Sequence, residues 1–232
     1  MKKAFCKKIF VLISLILFFS TVSLYSQEEE PVKASFLSQL SFVLDFSPSL
    51  YLNPESSRVS APSPLLYPVS LGALIFKDSK IAFQPQLSFF MMYHLWYDGM
   101  ALPAEIENRT SQTMCFLLDL PVLYQIFATE KSRFQLQAGL ALLMRFGLLA
   151  GGVKESDSGY SGSAGSDMDK INSWFWQNGR FFYLSFGASW LYTFTEHLKA
   201  GPVMKLYLPV GSFISGEGAQ ALIFSLGLKL CI

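Results

Sequence analysis

The sequence predicts an all-β fold: an eight-stranded antiparallel up-and-down β-barrel that crosses a membrane. Three observations predict it. The first is the stretch Arg133 to Leu148, where every even position from Phe134 onward is apolar and the odd positions carry Arg133, Gln135, Gln137, Gly139 and Arg145 among small or apolar residues. Side chains alternate between the two faces of a strand, so this pattern is a strand with two distinct faces. It is longer than the roughly five to six residues usual in soluble domains, and longer than the ~9–11 tilted residues that cross a bilayer. The second is composition: 51% of the 232 residues are hydrophobic and 15% are charged, yet only the N-terminus approaches a long apolar run. A spanning helix needs about 20 consecutive apolar residues, so the apolar content must be spent in strands. Third, the connections alternate between tight turns and long loops.

A net charge of +1 gives no reason to expect nucleic acid as a partner. At the N-terminus, Lys2, Lys3, Lys7 and Lys8 precede the apolar run Ile9 to Phe19 and a small-residue zone from Ser20 to Ser26. A basic head, a short apolar run and small residues before a cut are the features of a secretory signal. Cuts after Ser23 and after Ser26 both fit. Cys6 precedes the apolar run, the wrong side for lipidation. The expected organisation is a signal peptide over 1–26, an acidic leader over 27–35 and a barrel over 36–232.

Eight strands are expected in that barrel. The first, Phe36 to Tyr51, sets Phe36, Leu40, Phe42, Leu44 and Phe46 against Gln39, Ser41, Asp45 and Ser47. Leu65 to Phe76 is the second, with Leu66, Leu74 and Phe76 also on its second face. Ile81 to Tyr97 sets Phe83, Leu87, Phe89, Met91 and Tyr93 against Gln84, Gln86, Ser88 and His94. Met114 to Ile126 sets Phe116, Leu118, Val122 and Tyr124 against Cys115, Asp119 and Gln125. After the fifth strand, already described, Phe182 to Phe194 opposes Phe186, Trp190 and Tyr192 to Ser185, Gly187 and Ser189. Leu198 to Val210 opposes Met204 and Leu206 to Lys199, Gly201, Lys205 and Tyr207. The last, Ala221 to Ile232, opposes Leu222, Phe224, Leu226 and Leu228 to Ser225, Gly227, Lys229 and Cys231.

Lys77 to Lys80, Ala128 to Ser132 and Thr195 to His197 read as tight turns. Asn53 to Pro64, Asp98 to Gln112, Leu149 to Arg180 and Gly211 to Gln220 read as long loops, rich in Pro, Gly, Ser or charge. An even strand number with short turns at one end and long loops at the other is the construction of a bacterial outer-membrane barrel. A secreted soluble barrel is the rival reading, but it would cover its outside with charge. Here the polar faces carry few charges among Gln, Ser, Thr, Gly and Ala, which suits a confined interior. Aromatics gather toward both ends of the apolar face, as interfacial girdles do. Pro48, Pro68, Pro85, Pro121 and Pro202 fall within strands, mostly near ends; Pro121 lies mid-strand and predicts a bulge there.

The mature chain resembles the small eight-stranded outer-membrane barrels, the class of the OmpA membrane domain, OmpX and OmpW. In the last strand, Ser225, Gly227, Leu230 and Ile232 resemble the signal read by the barrel-assembly machinery, although Ile232 stands where Phe or Trp is common. The resemblance implies outer-membrane lipid and that machinery as partners, and an outer-membrane location in a diderm bacterium with both termini periplasmic.

An eight-stranded interior is just wide enough for side chains to fill it, which excludes a wide pore. Charges on the inner face must then be paired, and the expected lumen network is Asp45, Asp119, Arg145, Lys205 and Lys229 with Gln39, Gln86 and Gln137. Catalysis, a cofactor and a metal site are not expected. His94 and His197 are the histidines available as a base, His94 reads as packed inward, and no His-x-Ser pair of the lipid A deacylase kind lies on the outer face. Cys115 and Cys231 fall near opposite ends and are expected to be unbonded. The longest loop, with its flexible Gly/Ser stretch, ends in Trp174, Phe175 and Trp176. These three aromatics read as a hydrophobic mouth, a contact for an external partner, or an anchor in the outer leaflet. The functional expectation is a surface-exposed structural or interaction protein with a filled lumen. The alternative, implied by resemblance to OmpW, is a conduit for small hydrophobic molecules.

Overall fold

The structure is a computed structural model that describes residues 39–55, 61–196 and 198–232. The expected signal peptide, leader and Phe36 lie outside the described residues, as does His197. The eight expected strands are present: β1 (Leu40–Phe46 and Ser49–Tyr51), β2 (Leu65–Leu66 and Val69–Ile75), β3 (Ile81–Phe83 and Gln86–Tyr97), β4 (Ser111–Ala128), β5 (Ser132–Leu149), β6 (Phe182–Thr195), β7 (Leu198–Pro209) and β8 (Ile223–Cys231). Each pairs antiparallel with its sequence neighbours, and β1 closes the ring on β8, with Val43 opposite Cys231 and Phe46 opposite Leu228. Closure gives every strand a neighbour on both sides, with one edge left over where β5 runs on beyond β6.

The alternation resolves into an outside and an inside. Leu228, Leu226 and Phe46 are 64%, 58% and 49% exposed, whereas Asp45, Asp119 and Lys229 are each 0% exposed. A barrel in water would have the opposite arrangement. An apolar outer face of this extent is stable against hydrocarbon, so the fold is a transmembrane β-barrel. Toward the long-loop end the rings of Phe89, Phe116, Phe146, Trp176 and Phe181 follow one another at centroid spacings of 5.2, 6.3, 5.9 and 5.8 Å. Toward the short-turn end Phe127, Phe134 and Trp190 lie within 6.5 Å of one another.

Proline shapes the wall without changing its register. Pairing in β1, β2 and β3 is interrupted beside Pro48, Pro68 and Pro85, yet Phe46 opposes Val69 and Ser49 opposes Leu66, so the two strands resume in step. The bulge expected at Pro121 is absent: Pro121 opposes Gly139 in an unshifted β4–β5 ladder, and the register shift falls between Gln125 and Phe127. The reason is direction. The Pro121 carbonyl accepts the Gln84 N–H at 3.0 Å, so the missing Pro121 N–H faces β3 at its own interruption, and a single ladder bond is forgone.

Three loops depart from the expected irregular structure. Asp98 and Gly99, both with positive φ, turn the chain back so that Met100–Pro103 pairs with β3 from Tyr97 to His94. An Asp-Gly dipeptide is a hairpin turn, and the long-loop reading passed over it. The longest loop, expected to open with a flexible stretch from Gly151 to Ser166, holds helix α1 (Ala164–Trp176) in its second half, begun by the Ser163 hydroxyl accepting the Ser166 N–H at 3.2 Å. Buried Asp167 accepts the N–H groups of Tyr160 and Ser161, each at 2.8 Å, and ties the preceding turn to the helix. A five-residue helix α2 (Val210–Ile214) stands in the loop between β7 and β8.

At the seam, a Cβ on Gly227 would lie 2.2 Å from the Phe46 carbonyl oxygen and 2.4 Å from Ser47 Cα. Only glycine lets β8 approach β1 this closely. Gly227→Val is expected to abolish the heat-modifiable folded band in a refolding gel assay, while Leu226→Val, whose side chain faces outward, leaves it intact. Equal folding yields for the two variants would contradict the close-approach account.

Candidate functional site

The lumen is filled in layers. Val43, Leu74, Ala82, Leu123, Leu191 and Cys231 form an apolar layer nearest the short turns. Toward the long loops a second apolar layer contains Tyr51, Leu66, Phe90, Leu117, Leu143 and Ile223. Between them, at successive inward positions of the same strands, lie Asp45, Ser47 and Ser49 on β1, Asp119 on β4, Lys205 on β7 and Lys229, Gly227 and Ser225 on β8. The inner faces are thus more apolar than the Gln, Ser and Gly content first implied.

In the polar layer Lys205 Nζ lies 2.6 Å from Asp45 Oδ2, and Ser47 donates to the other Asp45 oxygen. Lys229 directly opposes Asp45 across the β1–β8 pairing and is buried, so a second ammonium group lies beside the pair without bonding to it. Tyr207 donates to Asp119 Oδ2 at 3.1 Å, and Gln86 accepts from Gln84 at 2.9 Å. Gln137, Asp119 Oδ1 and Lys229 Nζ have no hydrogen-bond partner among the described residues. A polar layer this deep needs such partners, and the sites are those that bridging water serves in protein interiors. Gln39 sits apart at the short-turn mouth, where its carbonyl accepts the Lys77 N–H at 3.2 Å.

Arg145 belongs to a different group of residues. Instead of an acidic partner it donates to the Arg180 carbonyl at 3.0 Å and to the Tyr51 hydroxyl at 3.3 Å, and its guanidinium stands 4.3 Å from the ring centroid of Phe175. A desolvated guanidinium over an aromatic face is attracted by the ring quadrupole, by about 2 kcal/mol. Phe175 also meets His94 edge-on at 4.9 Å, and the His94 Nδ1 lies 2.9 Å from the Thr113 hydroxyl. Helix α1 therefore lowers a side chain into the mouth of the barrel, with Ile171, Trp174 and Phe175 buried on one face.

The aromatic triplet is split by the helix. Trp174 is buried beside Arg180, whose guanidinium lies 4.2 Å from its ring, and Phe175 closes the mouth; Trp176, 43% exposed, joins the outer girdle against Phe146 and Phe181. Arg180 in turn grips Glu217 through Nε to Oε2 at 3.0 Å and through a second bond to Oε1, joining the loop before β6 to the loop after β7. One further contact holds α1 in place. The β5–β6 ladder ends at Leu142 opposite Phe182, while β5 runs on to Leu149. Along this unpaired edge the Asn172 side chain accepts the Gly147 N–H at 2.8 Å and donates to its carbonyl at 2.9 Å, as a neighbouring strand would. Strand periodicity had no means of finding Asn172, Arg180 or Glu217. The helical spacing of Ile171, Trp174 and Phe175 was the available signal. Cys115 and Cys231 are buried free thiols, in the upper and lower apolar layers.

No protein-family model matches the chain, and no curated protein matches it in sequence. Among solved structures, Neisserial surface protein A superposes with a TM-score of 0.50 at 10% identity, covering 84% of this chain and 96% of that one. This chain has the fold of a small outer-membrane barrel. The attachment invasion locus protein Ail of Yersinia pestis matches at 7% identity over 83% of this chain and 97% of its own, with a TM-score of 0.43. The N-terminal β-barrel domain of Pseudomonas aeruginosa OprF matches at 14% identity over 84% and 98%, with a TM-score of 0.38. At these identities likeness speaks to the fold, and the first superposition carries it.

Removing one member of a buried ion pair strands the other charge, at a cost of about 3–5 kcal/mol. Asp45→Ala is therefore expected to lower the temperature of the heat-modified gel shift strongly, and Lys205→Met in the same chain to recover part of the loss. A lower shift temperature is also expected for Asp119→Ala. An unchanged temperature for Asp45→Ala would rule out the buried pairing.

Proposed function

We propose that the chain is an integral outer-membrane β-barrel protein of a diderm bacterium, with both termini and the short turns on the periplasmic side. Its role on this reading is structural or interactive, presented by the long-loop end, and the lumen does not conduct. The observation that carries the reading is Phe175, held between His94 and Arg145 over a lumen that side chains fill from one apolar layer to the other. The apolar outer belt and its two aromatic bands support residence in lipid. In the last strand, Ser225 and Gly227 face inward and Leu230 and Ile232 outward, Ile232 being 59% exposed and hydrogen-bonded through its N–H to the Phe42 carbonyl at 2.9 Å. This is the arrangement expected of a seam strand that assembly machinery reads from outside before β1 closes on it.

A conduit for small hydrophobic molecules would need an opening either at the mouth or along the unpaired edge of β5. Helix α1 covers both, the first with Phe175 and the second with Asn172, which favours the surface role.

In planar bilayers the refolded chain is expected to give no discrete conductance steps, with the heat-modifiable gel shift as the control for folding. Trp174→Ala with Phe175→Ala is expected to stay silent as well, because the layers below the mouth still fill the bore. Reproducible steps from the unaltered protein that change when Lys205 is neutralised would instead make the lumen a gated path.

A further inference from the structure

At the short-turn mouth the described residues leave part of the lumen unfilled. A cavity of about 210 Å³ opens there, below the last apolar layer. Leu74, Leu191 and Cys231 of that layer line it from within. Lys77, Arg133 and Lys199 line it as well, and among the described residues Glu196 is the one acidic side chain on its wall.

These cations differ in how they are served. Arg133 donates to the Lys77 carbonyl at 2.8 Å and lies 3.4 Å from Asp78, which joins two of the short turns. Neither the Lys77 nor the Lys199 ammonium has a hydrogen-bond or ion-pair partner among the described residues. Like charges drawn together at one rim repel, and an anion seated between them offsets that cost. Beneath the rim, Gln135 is 3% exposed and its side-chain oxygen has no partner among the described residues. Cationic rim and apolar floor follow one another from the mouth inward, the layout of a pocket that fixes the polar end of a ligand and buries the rest, and Gln135 marks the boundary between them.

We infer that this mouth is a binding site for a small amphipathic anion, a monocarboxylate carrying a short alkyl tail. The carboxylate sits between Lys77 and Lys199, with the Arg133 guanidinium beside it. Gln135 lies at the boundary, and the tail reaches the layer of Leu74 and Leu191. The site is separate from the closed mouth under α1, and its existence does not depend on which compartment the short turns face.

The test uses the full chain, isotope-labelled and refolded in zwitterionic micelles, and follows the Gln135 side-chain amide and the Leu191 backbone amide by NMR. Hexanoate is expected to shift both saturably. 1-Hexanol, with the tail and no charge, and inorganic phosphate, with charge and no tail, are expected to leave them in place at the same concentrations. Lys199→Gln is expected to weaken hexanoate roughly tenfold, or about 1.4 kcal/mol, while the heat-modifiable gel shift stays as it was. Absence of a saturable hexanoate shift overturns the site, as does equal binding by Lys199→Gln. Equal response to phosphate would reduce it to a cation patch, and equal response to hexanol to an apolar hollow, each contradicting the amphipathic assignment.

Discussion

Hydrocarbon offers a backbone amide nothing to bond, so every N–H and C=O in the wall must find its partner on another strand. Closure of β1 on β8 is what satisfies that demand, and the other features of the chain accommodate it. Gly227 admits the seam. Pro121 survives mid-strand because its missing N–H faces β3 where that strand is already interrupted, leaving the β5 ladder whole. Where β5 outruns β6, Asn172 supplies the pair of hydrogen bonds that a strand would have made.

An outside made apolar for lipid leaves the polar residues to the interior, where space is short and water scarce. Charges there are costly without partners, and the middle layer centres on the Asp45–Lys205 pair, with Lys229 opposite Asp45. Apolar layers above and below wall that group off. Arg145 lies beyond the upper layer, and it finds its partners in an aromatic ring and a carbonyl delivered by the longest loop. The plug thus depends on the barrel and the barrel's uppermost charge depends on the plug.

The two ends of the lumen consequently differ in kind. Loops long enough to fold back, one of them carrying a thirteen-residue helix, close one end with Trp174 and Phe175. Among the described residues the turns at the other end are too short to reach across it, and the lysines and arginine of the rim stand around a hollow. Loop length alone produces this asymmetry between a capped mouth and a receptive one.

Much of this was determined by the sequence alone. Period-2 alternation is a local property, and it specified the strands and their two faces; the scarcity of charge on the polar faces then put Asp45, Asp119, Lys205 and Lys229 inside. What the tertiary structure decided are the relations between strands and loops. Whether Pro121 makes a bulge depends on which neighbour its amide faces, and Pro121 itself carries no sign of that. The three aromatics Trp174, Phe175 and Trp176 are alike in sequence, and the rotation of a helix sends two into the mouth and one to the lipid. Arg145 and Asp45 sit on equivalent inward positions, but their depths put one against a loop and the other against a lysine two strands away. Pairing across a barrel is set by register and depth, which are properties of the closed sheet and belong to no single stretch of the chain.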